Sequence, residues 1–371
     1  MSVAKLFEPL SLAHGPTMKN RFMLAPLTNE QSHPDGRLSE EEFRWLTMRA
    51  EGGFSVTMTC AMHVQAIGQG FSGQLGIFGE QHLEGLARLA SAIKARGSIA
   101  AAQLYHGGKR APKYLVGASV CPSDDEKTGA RALTAAEVAK LRDDFIAAAK
   151  RAERAGFDGV ELHGAHGYIL AQFLSPAVNR REDDYGGSLE NRARIIFEII
   201  DGIRARCRPD FQIGLRLSPE RFGLKLTEIR EVAAEILRQA KIDYLDMSLW
   251  EVTKEPEESA FKGRSLMSCF TELPRGGVRL GAAGKVTSAA TAAWALEAGC
   301  DFVLIGRAAI LRHDFPERVR RDPAYQSPAL PVTAQHLPAI YQLHRHVVAG
   351  LCCDRGDRRL VDAWMARSRA C

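Results

Sequence analysis

A (β/α)8 barrel of the α/β class, the TIM-barrel fold, is what this 371-residue sequence predicts, on three observations. Short apolar or β-branched runs alternate with longer amphipathic stretches, about eight times in order. The turn after the first run, Pro26-Leu-Thr-Asn-Glu-Gln31, has no glycine, whereas a doubly wound nucleotide-binding sheet carries its phosphate signature there. No Pro/Ser/Gly linker or change of composition divides the chain, so one domain over 1–371 is expected, with a barrel core at about 20–320.

The elements follow in order. A hairpin-like lead is expected at 6–19. Strands are expected at 21–26, 54–59, 99–104, 158–163, 212–217, 244–248, 278–281 and 302–305, each a short apolar run ending in polar or glycine residues. Helices are expected at 39–50, 81–95, 134–155, 189–206, 225–239 and 288–297. Thr134-Ala-Ala-Glu137 has the capping-box spacing that starts a helix, and Gly156 and Gly299 stand where helices stop. The tail at 333–371 carries Leu337, Ile340, Leu343, Val347 and Leu351 at helical spacing. It is expected to be helical and to pack on the barrel or on a second subunit of a homo-oligomer.

Composition narrows the function. With 46% hydrophobic and 25% charged residues the chain is an ordinary globular one and not a disordered one. A net charge of +5, scattered along the sequence, argues against a nucleic-acid partner. The eight cysteines show no CxxC or Cys/His spacing, and the adjacent pair Cys352-Cys353 cannot hold an iron–sulfur cluster. They read as small buried residues in a reducing compartment. No charged leader precedes an apolar run, and no apolar stretch reaches the roughly 18 residues of a membrane span, so a cytoplasmic protein without a membrane partner is expected.

In a barrel the chemistry sits at the C-terminal strand ends. Those ends carry Pro26 and Thr28, Cys60, Gln103, His163 with His166 and Tyr168, Arg216, Ser248 and Trp250, Gly284, and Gly306-Arg307. The densest segment is Gly156-Phe-Asp-Gly-Val-Glu-Leu-His-Gly-Ala-His-Gly-Tyr168. Period-two alternation puts Glu161 and His163 on one strand face and Val160 and Leu162 on the other. Two imidazoles and a phenol then crowd one rim. The histidines can each donate a hydrogen bond to one carbonyl oxygen and stabilise charge developing there, and Tyr168 can supply a proton.

The plainer reading makes a strand-end histidine structural and Glu161 the buried partner of a neighbouring base. A second functional reading takes Glu161, His163 and His166 as an E-x-H-x-x-H metal cluster of a hydrolase or lyase. No carboxylate or histidine at another strand end completes that shell. The glycines at Gly284 and Gly306 follow the seventh and eighth strands, where this fold binds phosphate, and Arg307 adds a cation.

Longer motifs carry a resemblance. Phe7-Glu-Pro-Leu, Lys19-Asn-Arg-Phe-Met-Leu-Ala-Pro-Leu-Thr28, Gln103-Leu-Tyr-His-Gly-Gly-Lys109, the segment from Gly156 to Tyr168, Asp183-Asp-Tyr-Gly-Gly-Ser-Leu-Glu-Asn-Arg192 and Ile305-Gly-Arg307 occur in this order. From about Leu6 to Pro316 the chain resembles the old yellow enzyme family of flavin-dependent ene reductases.

The resemblance implies an FMN-bearing barrel that takes hydride from NADPH or NADH and passes it from flavin N5 to the β carbon of an α,β-unsaturated carbonyl or similar small electrophilic alkene. It implies that Ala25, Pro26, Leu27 and Thr28 line the flavin, with Cys60 in contact with it, Gln103 bonded to its ring and Arg216 at its N1/C2 edge. Gly284, Gly306 and Arg307 would hold the phosphate. His163 and His166 would grip the substrate oxygen, and Tyr168 would protonate the α carbon. No metal is implied.

Overall fold

The structure is a computed structural model, and it describes residues 2–329. The tail expected at 333–371, with Cys352 and Cys353, lies outside the described residues. Eight parallel strands close into a barrel: β1 (Phe22–Leu24), β2 (Val56–His63), β3 (Ile99–Tyr105), β4 (Gly159–Gly164), β5 (Gln212–Leu217), β6 (Tyr244–Ser248), β7 (Arg279–Ala283) and β8 (Phe302–Ile305). Each pairs with its neighbours in sequence, and β1 closes the ring by pairing with β2 and β8. The predicted (β/α)8 class is the observed one.

The outer ring is built from α1 (Glu40–Glu51), α2 (Leu83–Lys94), α3 (Ala135–Arg154), α4 (Leu189–Arg206), α5 (Leu226–Gln239) and α6 (Ala289–Glu297). Their starts follow the capping chemistry. Thr134 and Glu137 form the full capping box, and Ser39, Ser188 and Ser288 each accept from the backbone N–H three residues on. Gly156 and Gly299 adopt φ of +87° and +103° just past the helix ends, a left-handed stop that glycine takes without strain. In the sixth unit the helix shrinks to the single turn Ser268–Thr271. The eighth ends in two short helices, Arg307–Leu311 and Phe315–Arg321. Between β3 and α3 a two-residue parallel pair, Val120–Cys121 with Arg131–Ala132, ties down a loop that the sequence pattern did not reveal.

The barrel holds two apolar cores. The larger lies between strands and helices, and the smaller fills the barrel interior around Met23, Val56, Met58, Ile99 and Phe302. The N-terminal lead is a 3-10 turn, Val3–Phe7, followed by one antiparallel bridge, Leu10 to Met18, rather than a full hairpin. Leu10 and Met18 join the interior core, so the lead plugs the end where the strands begin. His14 fastens it there, donating its backbone N–H to Asp243 Oδ1 at 2.8 Å, while Gln212 Nε2 donates to the His14 carbonyl at 2.9 Å. With that end closed, a ligand has the other.

Two strand glycines let large rings cross the interior: a methyl at Gly214 would overlap the Tyr244 ring, and one at Gly281 the Phe302 ring. β2 departs from simple alternation. Its register against β3 shifts between Met58 and Ala61, a bulge that reverses the facing of the residues beyond it. Met58 points into the barrel, but Cys60 and Met62 both pack in the outer core. Cys60 is therefore not at a flavin contact by its side chain, which corrects the expectation. Its thiol donates to Glu42 Oε1 on α1 at 2.8 Å, and burial beside that carboxyl pushes it well above its ordinary value.

Among the described residues no helix is long and apolar enough to cross a membrane. Gly281→Ala is expected to cost about 1–3 kcal/mol through overpacking against Phe302. A lower urea midpoint measures it, and an unchanged midpoint would contradict this interior packing.

Candidate active site

Parity on β4 is as the sequence predicts: Val160 and Leu162 pack outward, leaving Glu161 and His163 to face the barrel axis. Neighbouring strands add polar residues at matching heights. Gln103 lies level with Glu161, Arg216 with His163, and Asp246 with Arg216. Gln103 Nε2 donates to Glu161 Oε1 at 2.7 Å, and Arg216 Nε meets Asp246 Oδ2 at 2.9 Å. Glu161 and Asp246 are both fully buried. Burial raises Glu161 above its ordinary value of 4.5, the Asp246 charge adds to the rise, and Arg216 opposes it. Two carboxyls thus share one guanidinium; burial raises both, and Glu161, without the direct ion pair, is the one pushed towards its protonated form.

The loop past β4 turns sharply. His166 adopts φ of +58° and Gly167 +69°. A left-handed histidine needs support. The Ser218 hydroxyl accepts the His166 N–H at 3.0 Å, and Arg110 Nη1 donates to the His166 carbonyl at 2.5 Å. Gln172 braces the loop from behind, donating to the Gly167 carbonyl at 2.8 Å and accepting the Lys109 N–H at 3.1 Å.

This fold of the loop brings His163, His166 and Tyr168 together. Ring centroids lie 5.0 Å apart for the histidines and 5.1 Å for His163 and Tyr168, and Tyr105 stands edge-on to Tyr168 at 4.5 Å. The Arg110 guanidinium lies 4.9 Å from the Tyr168 ring centre. Burial, with smaller contributions from His166 and from Arg216, holds His163 well below its ordinary value, and burial with Arg216 and Arg110 pushes His166 down to about 3. Both rings are neutral at pH 7.

A cavity of about 350 Å³ opens beside them. Of the sequence-predicted residues, Ala25, Pro26, Leu27, His166, Arg216, Gly284, Gly306 and Arg307 line it. His163 stands behind His166, with Nε2 3.3 Å from His166 Nδ1, and Gln103 sits deeper on Glu161. Thr28 is exposed and off the lining, and Cys60 faces the other way. The sequence reading passed over Asp246, although strand parity counted back from Ser248 marks it as inward. It also passed over Lys285 and Thr287 on the lining, which simply continue the loop after Gly284. Glu161 is spent on Gln103, and among the described residues no three His, Cys, Asp or Glu side chains are grouped to hold a metal.

Comparison with known proteins fits this geometry. A sequence model of the NADH:flavin oxidoreductase / NADH oxidase family matches residues 5–325. The chain is 37% identical over 327 residues to the probable NADH-dependent flavin oxidoreductase YqiG of Bacillus subtilis (strain 168), covering 85% of this chain and 87% of that protein. An old yellow enzyme homologue from Zymomonas mobilis superposes with a TM-score of 0.77 at 28% identity, over 87% of this chain and 94% of that one. A 2-naphthoyl-CoA reductase superposes with a TM-score of 0.78 at 25% identity over 86% of this chain, which spans only 52% of that larger protein.

The buried proton gives a test. A carboxyl whose value is raised on folding keeps its proton in the native state while the unfolded chain loses it above 4.5, so stability from this group falls as pH rises past that point. Glu161→Gln, which copies the protonated form, is expected to remove about 1.4 kcal/mol per pH unit of that decline in urea titrations. A variant with the wild-type slope and a large loss at pH 7 would show an ionised Glu161 instead.

Proposed function

The chain belongs to the NADH:flavin oxidoreductase / NADH oxidase family, to which the old yellow enzymes belong, and from that premise we propose that it is an ene reductase for activated alkenes. As a family member it is an FMN oxidoreductase that draws on NADH or NADPH. The observation that carries the finer reading is the meeting of two neutral imidazoles and a phenol beside one cavity.

The cavity suits FMN. At Gly306 an added Cβ would stand free in the cradle, its nearest neighbours Leu27 Cδ2 at 3.7 Å and Ala25 Cβ at 3.9 Å, and at Gly284 it would press on the Glu251 N at 2.9 Å. Backbone N–H groups at these glycines, with Arg307 on the lining, would hold a phosphate. Ala25, Pro26 and Leu27 offer an apolar wall to a flat ring and Arg216 a cation for an electron-rich ring edge, while Gln103 lies deeper with its Nε2 given to Glu161. Bound FMN supplies the redox chemistry, accepting reducing equivalents from the pyridine nucleotide and delivering them to the alkene.

The chain's own residues do the rest. His163 and His166 bind the carbonyl oxygen of an α,β-unsaturated substrate and orient its double bond. Because both rings are neutral, they stabilise the enolate charge as N–H donors without giving up a proton. The proton for the α carbon then comes from the Tyr168 hydroxyl. Arg110, above the Tyr168 ring, offsets negative charge on the phenol oxygen as that proton leaves. Small electrophiles with one acceptor oxygen meet these demands, and the Trp250 and Phe222 side chains exposed near the mouth present apolar surface to the rest of the molecule.

Tyr168→Phe separates the two halves of the reaction. The variant is expected to be reduced by NADPH or NADH at a rate near the wild type's and to turn over an enone about 10²- to 10⁴-fold more slowly. Unchanged turnover, with the oxidative half limiting, would remove Tyr168 from this role.

A further inference from the structure

A chain of hydrogen bonds runs from the backbone of the β4 loop to Arg216, and both of its ends are fixed donors. The Ala165 N–H donates to His163 Nδ1 at 3.2 Å. His163 Nε2 lies 3.3 Å from His166 Nδ1, and His166 Nε2 lies 2.8 Å from Ser248 Oγ. Arg216 Nη2 reaches the same Oγ at 3.5 Å. A peptide N–H and a guanidinium can only donate, so the direction of every link is set.

Followed from Ala165, Nδ1 of His163 carries a lone pair and its hydrogen sits on Nε2. That hydrogen goes to His166 Nδ1, which must also carry a lone pair. The His166 hydrogen then sits on Nε2 and is given to Ser248 Oγ, which accepts from Arg216 as well. The Ser248 hydroxyl hydrogen is left over, on a side chain that lines the cavity. With no ligand between them, the two rings therefore present one donor and one acceptor, not two donors. A carbonyl or phenolate oxygen needs two.

We infer that Ser248 is a positioning residue that sets the tautomer of His166: it takes the Nε2 hydrogen in the ligand-free pocket, and when an oxygen binds it turns its own hydroxyl hydrogen onto Nε2 so that His166 presents Nδ1–H. The inference rests on the reading of His163 and His166 as the oxygen-binding pair. The exchange is neutral: the ring releases one hydrogen to water from Nε2 and takes one from water on Nδ1. A hydroxyl serves because it both donates and accepts. The left-handed turn at His166, pinned by Ser218 and Arg110, prevents the ring from solving the problem by backbone movement. Arg216 joins the chain at Ser248, so the same event changes what Ser248 offers the cofactor side of the cavity.

Long-range ¹H–¹⁵N spectra of the holoenzyme labelled with ¹⁵N-histidine, assigned by single His→Gln replacements, read the tautomers directly. Without ligand, both His163 and His166 are expected as Nε2–H. With saturating para-substituted phenol, His166 is expected to change to Nδ1–H while His163 does not. Ser248→Ala is expected to abolish that change and weaken phenol binding about tenfold, and Ser248→Thr to restore both. A His166 that stays Nε2–H while phenol shifts His163, or a Ser248→Ala protein with wild-type spectra and affinity, overturns the inference and leaves the oxygen-binding reading standing. A phenol that perturbs neither ring overturns that reading and this inference with it.

Discussion

Arg216, Asp246 and Glu161 share a dry space near the open end of the barrel, two carboxyls against one guanidinium. Burying them is costly unless each polar atom finds a partner or a proton. Asp246 takes the ion pair, Glu161 accepts from Gln103 with its proton affinity raised by burial, and Arg216 extends Nη2 to Ser248. Those commitments orient the side chains that stand above. Gln103 is held on Glu161 and Arg216 on Asp246, and His166 hangs from Ser248 in turn.

The same layer sets the electrostatics of the cavity. Burial, reinforced by Arg216, lowers the proton affinity of His163 and His166, so both rings are neutral when a substrate arrives. Under the proposed function a neutral pair and a separate phenol would divide the labour of alkene reduction, the rings holding the oxygen and Tyr168 supplying the proton. The plug formed by Leu10 and Met18 closes the opposite end, so the polar layer has a dry floor beneath it and one route for ligands above.

Much of this was legible in the sequence because strand parity and capping are local rules. The strands at 212–217, 244–248 and 302–305 fall where the runs predict, and Glu161 and His163 face inward as alternation requires. What failed was what depends on neighbours. The family resemblance puts Cys60 at the flavin, but the bulge between Met58 and Ala61 turns its side chain outward, and no residue type in that run announces a bulge. Asp246 was readable from parity, whereas the ring-to-ring bond between His163 and His166 was not. It exists because His166 adopts a positive φ that histidine seldom takes and that only the folded loop enforces.

The proposed function stands on two histidines that hold an oxygen against a flavin bound beside them. The visible absorption spectrum of the purified protein, before and after adding a para-substituted phenol, tests it in one cuvette. Flavin bands are expected to gain a long-wavelength charge-transfer band as the electron-rich phenolate is held against the ring, and to lose it when both histidines are replaced. A protein that stays colourless after incubation with FMN, or flavin bands that the phenol leaves unchanged, would contradict it.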